Sequence, residues 1–144
     1  MPGARVERRL AALLAADVVG YSRLVELDEA GTLAAIKSLR VEVIDPLLAE
    51  HHGRIVKLMG DGAIVDFASV VDAVACAVAV QLGVAAQQAD DAPHRRIVFR
   101  MGVNLGDVVV DGDDLLGDGV NVAARLQQIC TPGGVLVSGS AYDQ

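Results

Sequence analysis

The fold of this chain is indicated most clearly by one stretch, VKLMGDGAIV at residues 56–65. Two runs of β-forming apolar residues flank a Gly-Asp-Gly tripeptide, which is typical of antiparallel strands joined by a tight turn. We therefore predict a hairpin with an Asp-Gly turn, one strand at about 54–58 and its partner from Gly62 to Phe67. In this arrangement the carboxylate of Asp61 projects from the turn.

A second acidic residue, Asp17, ends another apolar run, Leu10 to Ala16, which we predict to be a buried strand over 9–16. Two carboxylates presented together at strand ends form a hard oxygen site suited to magnesium or manganese. The alternative interpretation is that Asp17 caps a helix and that Asp61 is only a turn residue.

Composition limits the classes of function. The 144 residues predict one domain, and 53% hydrophobic residues are ample for a core. A formal net charge of −7 argues against nucleic acid or an anionic membrane as partner, because both require a broad basic surface. Cys76 and Cys130 are isolated in the sequence, so neither a disulfide framework nor a zinc site is indicated. We therefore expect a cytoplasmic location.

Two segments resemble export or membrane signals. Arg8 and Arg9 followed by Leu10 to Ala16 imitate a signal peptide, but the apolar run is short. The run Val70 to Ala86 is apolar nearly all round, yet it contains Asp72 and is mostly Ala and Val. We predict a helix in a core or a subunit interface, with no membrane contact from this segment.

The rest of the chain predicts alternating strands and helices. A helical region begins at Gly20-Tyr21-Ser22, and Pro46 is expected to kink or end it. Further along, the sequence predicts a helix at about 70–89 with Ser69 as N-cap, a loop Asp90 to Arg95, paired strands Ile97 to Leu105 and Val108 to Asp111, a helix Asp118 to Ile129 and a strand Gly134 to Ser138. The order βααββαββαβ predicts an α+β sheet with helices packed on one face.

Three blocks of sequence, taken in order, resemble the signature blocks of the class III adenylate/guanylate cyclases. They are residues 15–22, AADVVGYS, residues 57–62, KLMGDG, and residues 117–125, GDGVNVAAR. The resemblance covers nearly the whole chain and implies a ferredoxin-like αβ sandwich with an antiparallel-rich sheet, acting as a head-to-tail dimer. Residues 1–144 would be one catalytic domain that lacks the C-terminal helix and strands of the family.

The resemblance assigns a metal and phosphate site. Asp17 and Asp61 would be the metal-binding carboxylates, and the carbonyl of Val18 would complete one of two sites for divalent ions, Mg or Mn. Such a pair of ions suits attack of the ribose 3′-oxygen on the α-phosphate of the same molecule. The amides of the loop before the first helix would bind the phosphates; its residues are Val18, Val19, Gly20, Tyr21 and Ser22.

Lys57 and Asp114 resemble the base-reading pair of adenylate cyclases. A lysine donor facing adenine N1 and an aspartate acceptor facing the N6 amine match adenine, whereas guanine presents the reverse pattern, so ATP is the expected substrate. Lys57 could instead be an exposed strand charge. A shift of one residue in matching the acidic loop to the family would assign the aspartate role to Asp113. The separation of seven residues between Asp114 and Asn121 favours Asp114 over Asp113.

Asn121 and Arg125 are four residues apart, so both project from one face of the predicted helix. The resemblance implies that the asparagine orients the ribose and that the arginine stabilises charge on the phosphates. The alternative is that Arg125 lies on a solvated helix face.

In the family, the metal carboxylates come from one subunit and the other site residues from its partner. The resemblance therefore implies a homodimer with shared active sites and an inactive monomer. Two functions stay open: an enzyme that converts ATP to 3′,5′-cyclic AMP and pyrophosphate, and a non-catalytic nucleotide-binding or dimerisation module derived from a shortened cyclase domain.

Overall fold

A computed structural model describes residues 7–144, with the side chain of Met59 left out; residues 1–6 of the predicted domain lie outside the described range. The strands are β1 Glu7–Val18, β2 Arg54–Met59, β3 Gly62–Phe67, β4 Phe99–Asp111, β5 Asp114–Leu116 and β6 Val135–Val137. The helices are α1 Tyr21–Leu27, α2 Glu29–Leu39, α3 Asp45–Glu50, α4 Val70–Gln87, α5 Asp118–Ile129 and α6 Gly139–Tyr142.

The strands form one sheet in the order β2-β3-β1-β4-β5, with β6 added to the start of β4. Every pairing is antiparallel except that of β4 with β6. The long central pair joins Glu7–Val18 of β1 to residues 99–110 of β4 in unbroken register. The antiparallel-rich sheet of the prediction is therefore confirmed.

The prediction of two strands within residues 97–111 is wrong, because β4 runs continuously from Phe99 to Asp111. Gly106 and Asp107 resemble a turn in the sequence, yet both pair with β1, opposite Ala11 and Leu10. The turn follows instead at Gly112, whose φ of 59° suits glycine, and β5 is the returning strand. Gly106 serves packing, since a Cβ there would lie 3.2 Å from the Cα of Gly119 in α5.

Side chains of β1 alternate between two cores, as a period of two requires. Ala12, Leu14 and Val18 join the larger core beneath α1 to α4, so the prediction of helices on one face is confirmed for those four helices. Ala11, Leu13 and Ala15 face the other way, into a smaller core that includes Val120 and Ala123 of α5. Helix α5 therefore covers part of the opposite face, which the sequence pattern did not predict.

The first helical region is interrupted but does not end at Pro46. A π-helical turn, Arg40–Ile44, joins α2 to α3 and lies directly before Pro46, which is in the first turn of α3. The chain stays helical to Glu50.

The β2–β3 turn is displaced by one residue from the predicted Asp-Gly turn. Gly60 and Asp61 form the turn, and Gly62 begins β3. Gly60 has the positive φ, 59°.

Helix α4 is long and apolar enough to cross a membrane by length and composition, with a mean hydropathy of 1.7. In the fold one face of this helix packs in the core, where Ala73, Cys76, Ala77, Val80 and Val84 are buried, whereas Val71 and Leu82 on the other face are exposed. Ser69 caps it by accepting a hydrogen bond from the amide of Asp72, as predicted. Both cysteines are free and buried.

Candidate active site

Asp17 and Asp61 lie close together at one edge of the β1–β3 pair. Asp17 is the penultimate residue of β1 and pairs with Gly62, which directly follows Asp61 in the β2–β3 turn. Burial raises the pKa of the Asp17 carboxyl above its ordinary 3.8, and the neighbouring Asp61 carboxylate raises it further. Two neighbouring carboxylates of this kind attract a cation.

Gln127 of α5 holds the Asp17 carboxylate from the other side. Its side-chain amide donates a hydrogen bond to Asp17 Oδ1, although the two residues are 110 apart in sequence. This bond and the positive charge of Arg100 lower the pKa of Asp17 and so oppose the effects of burial and of Asp61. Gln127 itself is only 7% exposed, so its amide is fixed by the packing of α5 on the sheet.

The donor set fits magnesium or manganese bound together with a nucleotide. Among residues 7–144, no three His, Cys, Asp or Glu side chains form a complete metal cage. Mg²⁺ does not need one, because it is usually held by one or two carboxylates while water and substrate phosphates supply the remaining oxygens. Asp17 and Asp61 provide that number.

Lys57 and Asp114 form an ion pair, with 3.0 Å between Lys57 Nζ and Asp114 Oδ1. Their strands, β2 and β5, stand at opposite ends of the sheet order, four steps or roughly 19 Å apart in a flat sheet. The sheet therefore curls until its ends meet. Arg54 of β2 reaches the same hairpin and donates a hydrogen bond of 3.4 Å to the carbonyl of Asp113.

The ion pair changes the acidity of Asp114. The hydrogen bond from Lys57 lowers the pKa of this carboxyl below its ordinary 3.8, and the amide of Leu115, which donates to Oδ1 over 2.8 Å, adds to the effect. Both side chains keep contact with solvent, 23% for Lys57 and 43% for Asp114. A ligand can therefore reach the pair.

Asn121 and Arg125 lie exposed on the outer side of α5, with no side-chain hydrogen bond or ion pair to any described residue. Arg125 is two residues before Gln127, which places it about 200° around the helix from the side chain that binds Asp17. Arg125 thus points away from the Asp17–Asp61 carboxylates of its own chain. The structure does not bring these predicted site residues together within one chain.

The segment Val18 to Ser22 connects the metal-site edge to α1. Val18 is buried, the amide of Val19 donates to the carbonyl of Val98, and Gly20 has a φ of 63° just before the first helical residue, Tyr21. Ser22 is exposed in the first turn of α1. No side chain caps this helix, so its first amides remain open to a ligand.

Gln127 is the site residue that sequence reasoning missed. A signal for it exists, since Val120, Ala123 and Gln127 follow the three- and four-residue spacing of the buried stripe of α5. A glutamine in such a stripe needs a buried partner. Only the fold shows that this partner is Asp17.

Comparison with known proteins identifies the family of this chain. Residues 7–144 match the family "Adenylate and Guanylate cyclase catalytic domain". The chain is 51% identical over 138 residues to "Putative adenylate cyclase 3" of Rhizobium meliloti (strain 1021), covering 96% of this chain and 24% of that protein. It is 33% identical over 128 residues to an adenylate cyclase of Streptomyces griseus, covering 87% of this chain and 30% of that protein. The chain thus spans a third or less of these relatives.

Solved structures show the same architecture. The adenylate/guanylate cyclase/hydrolase from Silicibacter pomeroyi superposes with a TM-score of 0.90 at 43% identity, over 96% of this chain and 81% of that one. The guanylyl cyclase Cya2 superposes with a TM-score of 0.84 at 23% identity, over 97% and 80% of the two chains, and shows the fold alone. By its fold and its family match, this chain belongs to the adenylate and guanylate cyclase catalytic domains.

Proposed function

We propose that this chain is the catalytic domain of an adenylate cyclase, which converts ATP to 3′,5′-cyclic AMP and pyrophosphate. The observation that carries the choice of substrate is the Lys57–Asp114 ion pair, because it sets a donor beside an acceptor at 3.0 Å. Adenine presents the complement, an acceptor at N1 and a donor at N6, whereas guanine presents the reverse pattern. ATP binding exchanges the ion pair for hydrogen bonds to the base.

The reaction joins the ribose 3′-oxygen to the α-phosphorus, breaks the bond from that phosphorus to the bridging oxygen, and releases pyrophosphate; the 3′ proton leaves to solvent. Asp17, Asp61 and the Val18 carbonyl would hold two divalent cations, Mg or Mn. When bound, these cations supply electrostatic stabilisation of the attacking oxygen and the triphosphate. Gln127 keeps the Asp17 carboxylate in position for them.

The remaining assignments concern ribose and phosphates. The amides of Gly20, Tyr21 and Ser22 at the start of α1 bind the phosphates, whereas the amide of Val19 already donates to the carbonyl of Val98 and is not available. Asn121 orients the ribose, and the guanidinium of Arg125 stabilises the charge that develops on the phosphates. Both side chains are free of partners among the described residues and so are available for substrate.

The active form in this proposal is a homodimer. Arg125 points away from Asp17 in its own chain, so the reacting phosphates can contact both only when a second chain supplies the arginine. Two chains related by a two-fold axis then form two equivalent composite sites. The acidic net charge and the free buried cysteines fit a cytoplasmic domain that binds neither nucleic acid nor membrane.

Product analysis tests the activity. The purified chain is incubated with ATP or GTP and Mn²⁺ or Mg²⁺, and the cyclic nucleotide is measured. We expect cyclic AMP from ATP and little cyclic GMP. Nucleotide binding without any cyclic product would leave the chain as a non-catalytic nucleotide-binding module, and cyclic GMP as the main product would overturn the assignment of Lys57 and Asp114.

A double substitution tests the specificity assignment directly. Lys57→Glu combined with Asp114→Ala should reduce kcat/KM for ATP by about 100-fold or more, because the polar edge of adenine loses both partners. The matched control is Asp113→Ala, which removes the adjacent carboxylate of the same loop and should change kcat/KM little. A larger loss in the Asp113 variant would move the base-reading role by one residue.

A further inference from the structure

An apolar cavity of about 220 Å³ lies between the sheet and the first helical region. Its floor consists of core side chains of the sheet, including Leu14, Val65 and Met101, and its roof includes Ile36 and Ile44. These floor residues belong to the larger core, on the side of the sheet opposite α5. Lys57 and Asp114 do not line this cavity, but Val18, Tyr21 and Asp61 do, so one end of it borders the proposed metal and phosphate site.

Most of the lining of this cavity is apolar. Its polar groups are Arg40 and, at the end that borders the β2–β3 turn, Tyr21 and Asp61. A water needs two to four polar partners, which the aliphatic and aromatic part of the wall does not provide. Leu33 and Leu58 at the cavity are 48% and 56% exposed, so apolar surface continues from its interior to solvent. Such a cavity fits an apolar chain that enters from outside.

One cation lines the cavity, Arg40, the first residue of the π-helical turn. Its guanidinium is 3.5 Å from Asp45, with the two side chains 43% and 50% exposed. An exposed pair of this kind is weak, so Arg40 can exchange its partner at little cost. π-Helical turns are frequent at functional sites, and the turn places both Arg40 and Ile44 on the cavity.

We propose that this cavity binds a medium-chain fatty acid, with the alkyl chain inside and the carboxylate paired to Arg40. The volume corresponds to about seven groups of the size of a water molecule, which suits a chain of roughly eight carbons. A guanidinium binds a carboxylate through two parallel hydrogen bonds, so an acid fits better than an alcohol. The anionic Asp61 also lines the cavity, so the acid head group is favoured only at Arg40.

Binding of octanoate to the whole chain, measured by isothermal titration calorimetry without nucleotide or metal, tests this site independently of cyclase activity. The control ligands are 1-octanol and octylammonium, which keep the chain length and change the charge. We expect octanoate to bind roughly tenfold or more tightly than either control. No octanoate binding at millimolar concentration, or equal or tighter binding of octylammonium, would overturn the proposal.

Two variants locate the ligand. Arg40→Gln should reduce octanoate affinity to that of octanol, whereas Lys37→Gln, an exposed cation of α2 outside the cavity, should leave it unchanged. Ala63→Leu fills the cavity from β3 and should abolish binding of octanoate and octanol alike. If Ala63→Leu fails to fold, Arg40→Gln and Lys37→Gln still test the site, because both of these side chains reach solvent. Equal octanoate affinity in Arg40→Gln and in the wild type would show that the acid binds elsewhere.

Discussion

The Asp17 carboxylate is subject to two opposing influences within one chain. Burial and the adjacent Asp61 disfavour its ionised form, whereas the amide of Gln127 favours it. Because a cation binds the ionised form, Gln127 would act as a positioning residue in the proposed metal site, although it would contact no substrate. Its own burial means that it cannot rotate away without moving α5.

Replacing Gln127 with Leu tests this role. The side chain keeps its volume but loses the donor, so the Mn²⁺ concentration for half-maximal activity should rise by about 10- to 100-fold, as is usual for groups that orient metal ligands. Gln128→Leu is the matched control, since Gln128 is exposed on the same helix. A fall in activity at saturating metal, with no change in metal requirement, would assign Gln127 a purely structural role.

The ion pair of Lys57 and Asp114 predicts a particular pH dependence. The folded-state pKa of Asp114 is lowered below 3.8, so its stabilising contribution is present above that pH and is lost as the pH falls through the lowered value. NMR titration of the Asp114 carboxyl should give a midpoint below 3.8 in the wild type and a higher midpoint in Lys57→Gln. An identical midpoint in both proteins would contradict the pairing.

Residue types and strand positions suggested Asp17 and Asp61, and the family resemblance added Lys57 and Asp114; the structure brings the members of each pair together. The contact of Lys57 with Asp114 was not derivable from spacing, since it depends on how far the sheet curls. Gln127 was missed for a similar reason: its role appears only when α5 is placed on the sheet beside Asp17.

At the scale of elements, glycines of β4 determine how closely α5 approaches. A Cβ on Gly102 would lie 2.6 Å from both the carbonyl oxygen of Ala123 and the amide nitrogen of Gln127. These are backbone atoms, which cannot move aside as a flexible side chain can. The sequence suggested a strand break near Gly106, whereas the glycines allow an uninterrupted strand to pack against a helix. The sequence alone does not reveal which close contact these glycines serve.

Gly102→Ala should therefore push α5 away from β4. We expect a loss of about 1–3 kcal/mol in the free energy of unfolding, the usual cost of overpacking, together with a raised Mn²⁺ requirement because Gln127 moves with the helix. Urea unfolding and activity assays measure the two effects. Gly139→Ala is the control, since a Cβ there meets nothing within 4 Å. Equal stability of the Gly102 and Gly139 variants would show that the contact is not tight in solution.

At the scale of the whole molecule, α5 connects two different sites in the proposed dimer. Its inner side binds Asp17 of its own chain through Gln127, and its outer side presents Asn121 and Arg125 to the partner. A shift of one helix therefore changes the metal site of one composite centre and the phosphate contacts of the other. This arrangement predicts that a chain with a defective metal site and a chain with a defective Arg125 can together form one intact composite site.

Mixing two inactive variants tests that arrangement. Asp61→Ala and Arg125→Ala should each be nearly inactive alone, and neither side chain makes a hydrogen bond with a described residue, so both variants should fold. In a mixed dimer one composite site receives both intact residues, while the other collects both defects. Random pairing of equal amounts makes half of the dimers mixed, each with one of two sites intact, so activity should recover to roughly a quarter of wild type.

The control for this experiment is the double variant Asp61→Ala/Arg125→Ala mixed with Asp61→Ala. No dimer of that mixture contains an intact Asp61, so no activity should return. Size-exclusion chromatography of differently tagged chains establishes that subunits exchange under the assay conditions. If exchange is complete and the first mixture still shows no activity, Asp61 and Arg125 act within one chain. In that case α5 would have to rotate by about half a turn about its own axis to bring Arg125 towards Asp17, because Gln127 occupies the side of the helix that faces Asp17 in this structure.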